Sequence, residues 1–326
     1  MSFSTFKKIG LLTSGGDAPG MNAAIRAIVR SAINFKISVV GIRRGYEGLL
    51  AADIKHLKGG DVSDIIHRGG TMLRTARCPE MLTEQGLKRA SQVCKVLGLD
   101  CLIVIGGDGS LKGAANLAKL GVNVIGIPAT IDLDLNCSEY TIGFDTAVNT
   151  GMDAINKLRD TSGSHERCSV VEVMGRGAGA LALWCGMAGG AEEMVIPENE
   201  GMTAEDVIRQ IIENRAKGRR HHVVLVAEGA GERTFDLSKK IEQVTGIESR
   251  ATILGHLQRG GDPTALDRMH ASVMGFNAVE LFTNNVLNRV VVIKNGQYSD
   301  VDIFEALKEQ KKYDPKLYEI IKTIAV

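Results

Sequence analysis

Cys101-Leu-Ile-Val-Ile-Gly-Gly-Asp-Gly-Ser110 decides the fold. An apolar, partly β-branched run empties into glycines and a carboxylate, and a helical pattern over 109–119 follows, as in a βαβ unit of a parallel sheet. Two further runs end the same way. Ile9-Gly-Leu-Leu12 opens into Thr13-Ser-Gly-Gly-Asp-Ala-Pro-Gly20, and Val122-Asn-Val-Ile-Gly-Ile127 opens into Pro128-Ala-Thr-Ile-Asp-Leu-Asp134. Ligands of an open parallel sheet bind at the carboxyl ends of its strands, so these acid-bearing turns predict one phosphate-and-metal site.

The pattern recurs along the chain. Strands are expected over 8–13, 37–43, 101–105, 122–127, 168–173, 193–196, 222–227 and 290–294, and helices over 19–34, 83–97, 109–119, 145–160, 177–188, 204–216, 234–244 and 264–285. Length and strand count predict an α/β fold of two lobes with mostly parallel sheets and an active-site cleft between them. No Pro/Ser-rich linker or internal repeat marks the division.

The 326 residues, 44% apolar with six prolines, supply one large or two medium cores and exclude a disordered chain. Lys and Arg number 39 against 38 Asp and Glu, so the formal charge of +1 offers no global attraction to nucleic acid or membrane. Any anionic ligand must be held by local clusters. The six cysteines (78, 94, 101, 137, 168, 185) lack metal-ligand spacing and read as reduced core thiols of a cytoplasmic protein, without structural zinc. The start, Met1 to Lys8, has no signal-peptide apolar region, and the weakly polar run Ala178 to Ala191 is too short to span a bilayer. That run predicts a buried helix instead.

Side chains alternate in extended backbone, so Thr130, Asp132 and Asp134 are expected on one face. Two close carboxylates repel and persist with a cation, an arginine or a proton, although an ordinary acidic loop has the same composition. The GxGxxxG spacing of Gly106-Gly-Asp-Gly-Ser-Leu-Lys-Gly113 raises a dinucleotide-binding oxidoreductase. Asp108 argues against it, because a carboxylate in the loop repels a pyrophosphate unless a divalent cation intervenes. A nucleoside triphosphate held through Mg²⁺ fits better, with a tight turn whose Asp caps a helix as the bland alternative. GxxxxGK[ST] and the protein-kinase signatures are absent, and Gly15 and Gly16 could bring main-chain N–H groups against phosphate instead.

Arg167, Arg176, Arg250 and Arg259 flank expected strand ends or glycine turns, where guanidinium forks match phosphate oxygens, although any single one reads equally as a surface ion pair. His221, His222 and His256 show no zinc spacing. Arg26 and Arg30, spaced i,i+4, together with Arg159, Lys217, Arg219, Arg220 and His221, outline a second anion site or two unrelated solvated faces.

Within a resemblance that extends from Ile9 to about Asp302, six motifs stand in order: Thr13-Ser-Gly-Gly-Asp-Ala-Pro-Gly-Met-Asn22, Arg68-Gly-Gly-Thr71, Gly106-Gly-Asp-Gly-Ser110, Pro128-Ala-Thr-Ile-Asp132, Ser169-Val-Val-Glu-Val-Met-Gly-Arg176 and Gly255-His-Leu-Gln-Arg-Gly-Gly261. With them the chain resembles the bacterial-type ATP-dependent 6-phosphofructokinases. The resemblance implies two Rossmann-like lobes, an ATP-binding one of 1–138 plus 252–305 and a sugar-phosphate one of 139–251 plus 306–326. It implies transfer of phosphate from Mg²⁺-ATP to the 1-hydroxyl of fructose 6-phosphate, the committed step of glycolysis.

Under the resemblance Asp132 is the general base, Thr130 meets the transferred phosphoryl group, Asp134 completes the carboxylate pair and Arg176 steadies the phosphate. The implied sugar-phosphate ligands are Thr130, Ile131, Asp132, Met174, Gly175, Arg176 and Glu228, with His256, Leu257, Gln258 and Arg259, while Arg167 and Arg250 reach in from a neighbouring subunit of a homotetramer. Gly16, Arg77, Cys78, Gly107, Asp108, Gly109 and Ser110 would hold the nucleotide, Asp108 through the metal. Arg26, Arg30, Gly59, Asp64, Arg159, Gly190, Glu192, Lys217, Arg219, Arg220 and His221 match a regulatory site where a nucleoside diphosphate (ADP or GDP) activates and phosphoenolpyruvate inhibits.

Three departures matter. Gly59 replaces a basic effector ligand, with Lys58 adjacent. Ala129 replaces a glycine common in ATP users, and Leu133 replaces the Asn usual between the two aspartates and is expected to point away from them. Gly109 leaves open the space that an Asp occupies in pyrophosphate-dependent relatives, so ATP is the expected donor and a pyrophosphate-dependent enzyme the alternative. A non-catalytic sugar-phosphate subunit would be expected to lose Asp132, Asp108 or Arg176, and all three are present.

Overall fold

The computed structural model describes residues 7–199, 201–231, 233–308 and 315–324. Residues 1–6 of the expected ATP lobe, and 200, 232, 309–314 and 325–326, therefore lie outside the described residues. In chain order the first elements are β1 (Lys8–Ser14), α1 (Met21–Asn34), β2 (Ser38–Ile42), α2 (Gly45–Leu50), β3 (Ile54–Leu57), α3 (Glu84–Val96), β4 (Cys101–Gly106), α4 (Asp108–Lys119), β5 (Val124–Pro128) and α5 (Phe144–His165). There follow β6 (Cys168–Val173), α6 (Ala180–Gly189), β7 (Glu193–Val195), α7 (Ala204–Ala216), β8 (His222–Ala227), α8 (Thr234–Thr245) and β9 (Ser249–Ile253). Last come α9 (Ala265–Thr283), β10 (Arg289–Lys294), β11 (Gln297–Asp302), α10 (Ile303–Ala306) and α11 (Pro315–Ile324).

These elements form two compact units, one of Met1–Thr130, Leu135–Asp145 and Arg259–Lys311, the other of Ile131–Asp134, Thr146–Gln258 and Lys312–Val326. The first holds a seven-stranded sheet in the order β11-β10-β5-β4-β1-β2-β3. Its five inner strands run parallel, and β11 and β3 close the edges antiparallel. All six residues of β4 are buried, and Leu12, Val104, Leu111, Val124 and Val290 pack in one core. Each such side chain contributes roughly 1.5–3 kcal/mol by leaving water.

The second unit holds a parallel four-stranded sheet, β7-β8-β6-β9, whose core joins Val170, Val224 and Val226 to Leu237 and Ile241 of α8. The run expected as a buried helix is α6, which buries Leu181, Ala182 and Cys185 but leaves Trp184 half-exposed and Ala188 exposed. No helix of the described residues is long and apolar enough to cross a membrane. All six cysteines are free thiols, and all but Cys78 are buried.

Strands β3, β9 and β11 were not expected from the sequence. They are edge strands with half-exposed, polar residues, so they lack the continuous apolar run that marks an inner strand.

His222 opens β8 with no exposed surface, and neither ring nitrogen has a hydrogen-bond partner among the described residues. Burial first, then the charges of His221, Arg219 and Arg215, push its pKa down to about 4. The unfolded chain takes up a proton near pH 6.5 that the folded imidazole refuses, so stability is full above that pH and falls towards pH 4. The loss is at most about 3 kcal/mol, the ceiling for one proton over that interval. His222→Leu should flatten this slope in denaturant midpoints measured at pH 7 and 4.5, and an unchanged slope would assign it to another group.

Candidate active site

In the first unit, β1, β4 and β5 end side by side, with Ser14 in register with Gly106 and Gly106 with Pro128. The Gly15–Asp17 turn is tied down by Thr75 Oγ1 donating to the Gly15 carbonyl at 2.6 Å and by Arg259 Nη1 donating to the Asp17 carbonyl at 3.3 Å. A methyl group on exposed Gly16 would overlap the Arg259 guanidinium, so that arginine lies over the phosphate-type turn of its own unit. The Thr130 carbonyl accepts from Thr141 Oγ1 at 2.7 Å, and a methyl on Gly107 would stand 3.4 Å from Thr130 Cβ.

Asp108 is the first residue of α4, but the capping position belongs to Gly107, so the helix-cap alternative for Asp108 does not hold. Its carboxylate meets Lys112 Nζ one turn on at 2.7 Å, an exposed pair of small energy. Space beside Gly109 is open, and the Ser110 carbonyl accepts from Tyr46 Oη at 2.7 Å. Arg77 is exposed on the segment between β3 and α3, while burial raises the pKa of half-buried Cys78. Among the described residues no group of three His, Cys, Asp or Glu side chains is placed to hold a metal.

The segment 131–134 belongs to the second unit. Here one expectation is corrected. β5 stops at Pro128 and Leu133 has φ 50°, so 130–134 is not extended and period-two alternation does not align Thr130, Asp132 and Asp134 or aim Leu133 away. Asp132 is buried, and Asp134 Oδ2 lies 3.9 Å from Arg176 Nη1.

At the carboxyl end of β6, Gly175 and Arg176 both have positive φ, 139° and 55°. The Arg176 N–H donates to Glu228 Oε1 at 2.6 Å, so the carboxylate expected to receive sugar hydroxyls also holds a peptide. His256 and Leu257 are exposed on the 3-10 turn Gly255–Arg259 after β9, whereas Gln258 is wholly buried.

Arg167 and Arg250 lie at the other end of this sheet, before β6 and at the start of β9. Both pair with Glu248, Arg167 at 2.7 Å, and the Arg167 hydrogen bond is the first cause of a Glu248 pKa below the ordinary value. Sequence reasoning missed Glu248, whose only signal is its place between two arginine positions.

The residues expected to form a second anion site fall into two sets. Arg26 and Arg30 lie on α1, and Gly59 and exposed Asp64 lie in and after the 3-10 turn Gly59–Val62, in the first unit. In the second, Arg219 meets buried Glu192 at 2.7 Å, Arg159 donates to the Gly189 and Gly190 carbonyls, and Arg220 meets Glu166 at 3.0 Å. Lys217 is exposed and His221 half-exposed beside them.

The phosphofructokinase family profile matches residues 8–282. The chain is 56% identical over 314 residues, 96% of its length and 98% of the relative's, to an ATP-dependent 6-phosphofructokinase of Clostridium botulinum (strain Loch Maree / Type A3). It is 55% identical over 319 residues to that of Clostridium tetani, covering 98% of this chain and 99% of the relative. Among solved structures it is similar to phosphofructokinase from Saccharomyces cerevisiae, with TM-score 0.85 and 33% identity over 98% of this chain. The chain spans 46% of that longer polypeptide.

A methyl group on Gly229 would overlap the Arg176 carbonyl oxygen, a backbone atom with nowhere to retreat. Gly229→Ala is therefore expected to lower stability by about 1–3 kcal/mol in urea unfolding. A midpoint equal to the parent's would show that the 174–177 turn yields freely.

Proposed function

The chain belongs to the phosphofructokinase family, and we propose that its own residues perform the reaction of an ATP-dependent 6-phosphofructokinase in the following way. The enzyme transfers the γ-phosphoryl group of ATP to the 1-hydroxyl of fructose 6-phosphate, giving fructose 1,6-bisphosphate and ADP. Identity of 56% over 96% of this chain and 98% of a relative carrying that activity is the observation behind this reading.

Asp132 takes the proton of the attacking hydroxyl, and Thr130 and Arg176 meet the transferring phosphoryl oxygens, with Asp134 beside Arg176. Met174, Gly175, Glu228 and His256 receive the sugar phosphate, and Arg259 serves anionic phosphate over the Gly16 turn. Gly16, Arg77, Cys78 and Gly107 to Ser110 receive the nucleotide. Asp108 fits Mg²⁺: it is a single carboxylate beside side-chain-free glycines, and this ion takes one or two carboxylates and completes its shell with phosphate oxygens and water. When bound, the ion neutralises charge on the phosphates.

Arg167 and Arg176 stand at opposite ends of the six-residue strand β6, about 20 Å apart at a strand's rise per residue. One sugar phosphate does not span that distance, which supports a homotetramer whose sites borrow Arg167 and Arg250 from a neighbour. No wholesale charge or apolar span argues for nucleic acid or membrane, and we place the enzyme in the cytoplasm.

Asp132→Asn is expected to lower kcat by about 10²- to 10⁴-fold while fructose 6-phosphate binding persists, because a base acts in the transition state. Initial rates with ATP and with pyrophosphate check the donor. The open space at Gly109 predicts ATP, and a parent preferring pyrophosphate overturns that choice.

The Arg159, Glu192 and Arg219 cluster supports an effector site for ADP, GDP or phosphoenolpyruvate. Either class of ligand should shift sugar saturation, and Arg219→Ala should reduce that shift several-fold. Saturation curves that ignore both ligands in the parent would show a silent site, as the Gly59 departure would produce.

A further inference from the structure

Gln258 has no exposed surface, and both ends of its amide are engaged. Its Oε1 accepts the Met174 N–H at 2.8 Å and its Nε2 donates to the Ala147 carbonyl of α5 at 3.3 Å. A side chain so enclosed offers no face to a ligand, although its neighbours His256 and Leu257 are exposed. Its partner Met174 leads into the backbone that carries Arg176, whose φ of 55° is costly for a long side chain, of order 1–3 kcal/mol.

Such a conformation persists only where the surroundings over-determine it. Here the Met174 N–H goes to Gln258, the Arg176 N–H to Glu228 at 2.6 Å, and the Ala178 N–H back to the Gly175 carbonyl at 2.8 Å. Gly151 of α5 supplies a separate indication that the amide's place is built. A methyl there would stand 3.4 Å from Gln258 Nε2 and 2.7 Å from Cys185 Sγ.

We propose that Gln258 is a positioning residue for Arg176. Through the Met174 peptide it holds the 174–176 turn in the left-handed conformation that sets the guanidinium beside Asp134. The proposal rests on the role given to Arg176 above.

A double-mutant cycle tests it. Gln258→Met keeps length and bulk but removes both hydrogen bonds. It should lower kcat about tenfold, with KM for fructose 6-phosphate and for ATP moving less than about threefold, whereas in an Arg176→Ala background it should change kcat less than about twofold. A general loss of packing would lower both backgrounds alike. Equal factors in the two backgrounds, or a parental kcat in Gln258→Met, would overturn the proposal and leave the proposed reaction standing. A parental kcat in Arg176→Ala itself would overturn both this proposal and the role of Arg176. If Gln258→Met does not fold, Gln258→Asn, whose shorter amide cannot span both partners, enters the same cycle under the same criteria.

Discussion

Gly106 stands where three strands of the first unit end, and it has no side chain because none would fit. A methyl there would lie 2.5 Å from the Ser14 carbonyl oxygen and 2.7 Å from Ser110. With that space closed by the Ser14 carbonyl and the Ser110 side chain, β1 and β5 end on either side of Gly106, whose carbonyl accepts the Ala129 N–H at 3.0 Å. The turn also starts α4, so the positive end of a helix arrives at the end of a buried sheet. A bulkier residue would part the strands that end there.

That part of the molecule was legible because it is written twice, once in the buried apolar runs and once in the glycines that end them. The inner strands β1, β4, β5 and β8 follow from largely apolar stretches, and β6 from one interrupted by Ser169 and Glu172. The edge strands β3, β9 and β11 carry no such signal, unlike β7, an edge strand whose three residues are buried. Ser249-Arg-Ala-Thr-Ile253 shows neither an apolar run nor a clean alternation, and only its parallel pairing with β6 makes it a strand. The helix α11 lies beyond the last motif, so nothing in the resemblance pointed to it.

Conformation beyond the regular elements was less legible still. Period-two reasoning presumes extended backbone, and Leu133 at φ 50° breaks that premise in the segment where it was applied. Arg176 likewise gives no sequence sign of its left-handed backbone, which depends on Glu228, Gly229 and Gln258, 52 to 82 residues away. A motif identifies which residue types recur together, but whether Gln258 faces a ligand or the core depends on partners it does not contain.

The two ends of the second unit's sheet are held by different means, and the difference has consequences. At the carboxyl end the Arg176 turn is fixed by peptide N–H groups donating to Glu228 and Gln258. A bond to a charged acceptor contributes roughly 1.5–3 kcal/mol, and the flanking backbone cannot rotate to another partner. At the amino end Arg167 and Arg250 share Glu248, and Arg220 meets Glu166, through side chains that reach solvent. Exposed pairs of that kind add little to stability, so under the roles proposed for Arg167 and Arg250 a phosphate, with more charge and more acceptor oxygens than one carboxylate, would displace the glutamate at little cost. The backbone is thus restrained most closely at the carboxyl end, while the amino end is tied mainly by side chains, with Arg159, bonded to the Gly189 and Gly190 carbonyls, as the exception.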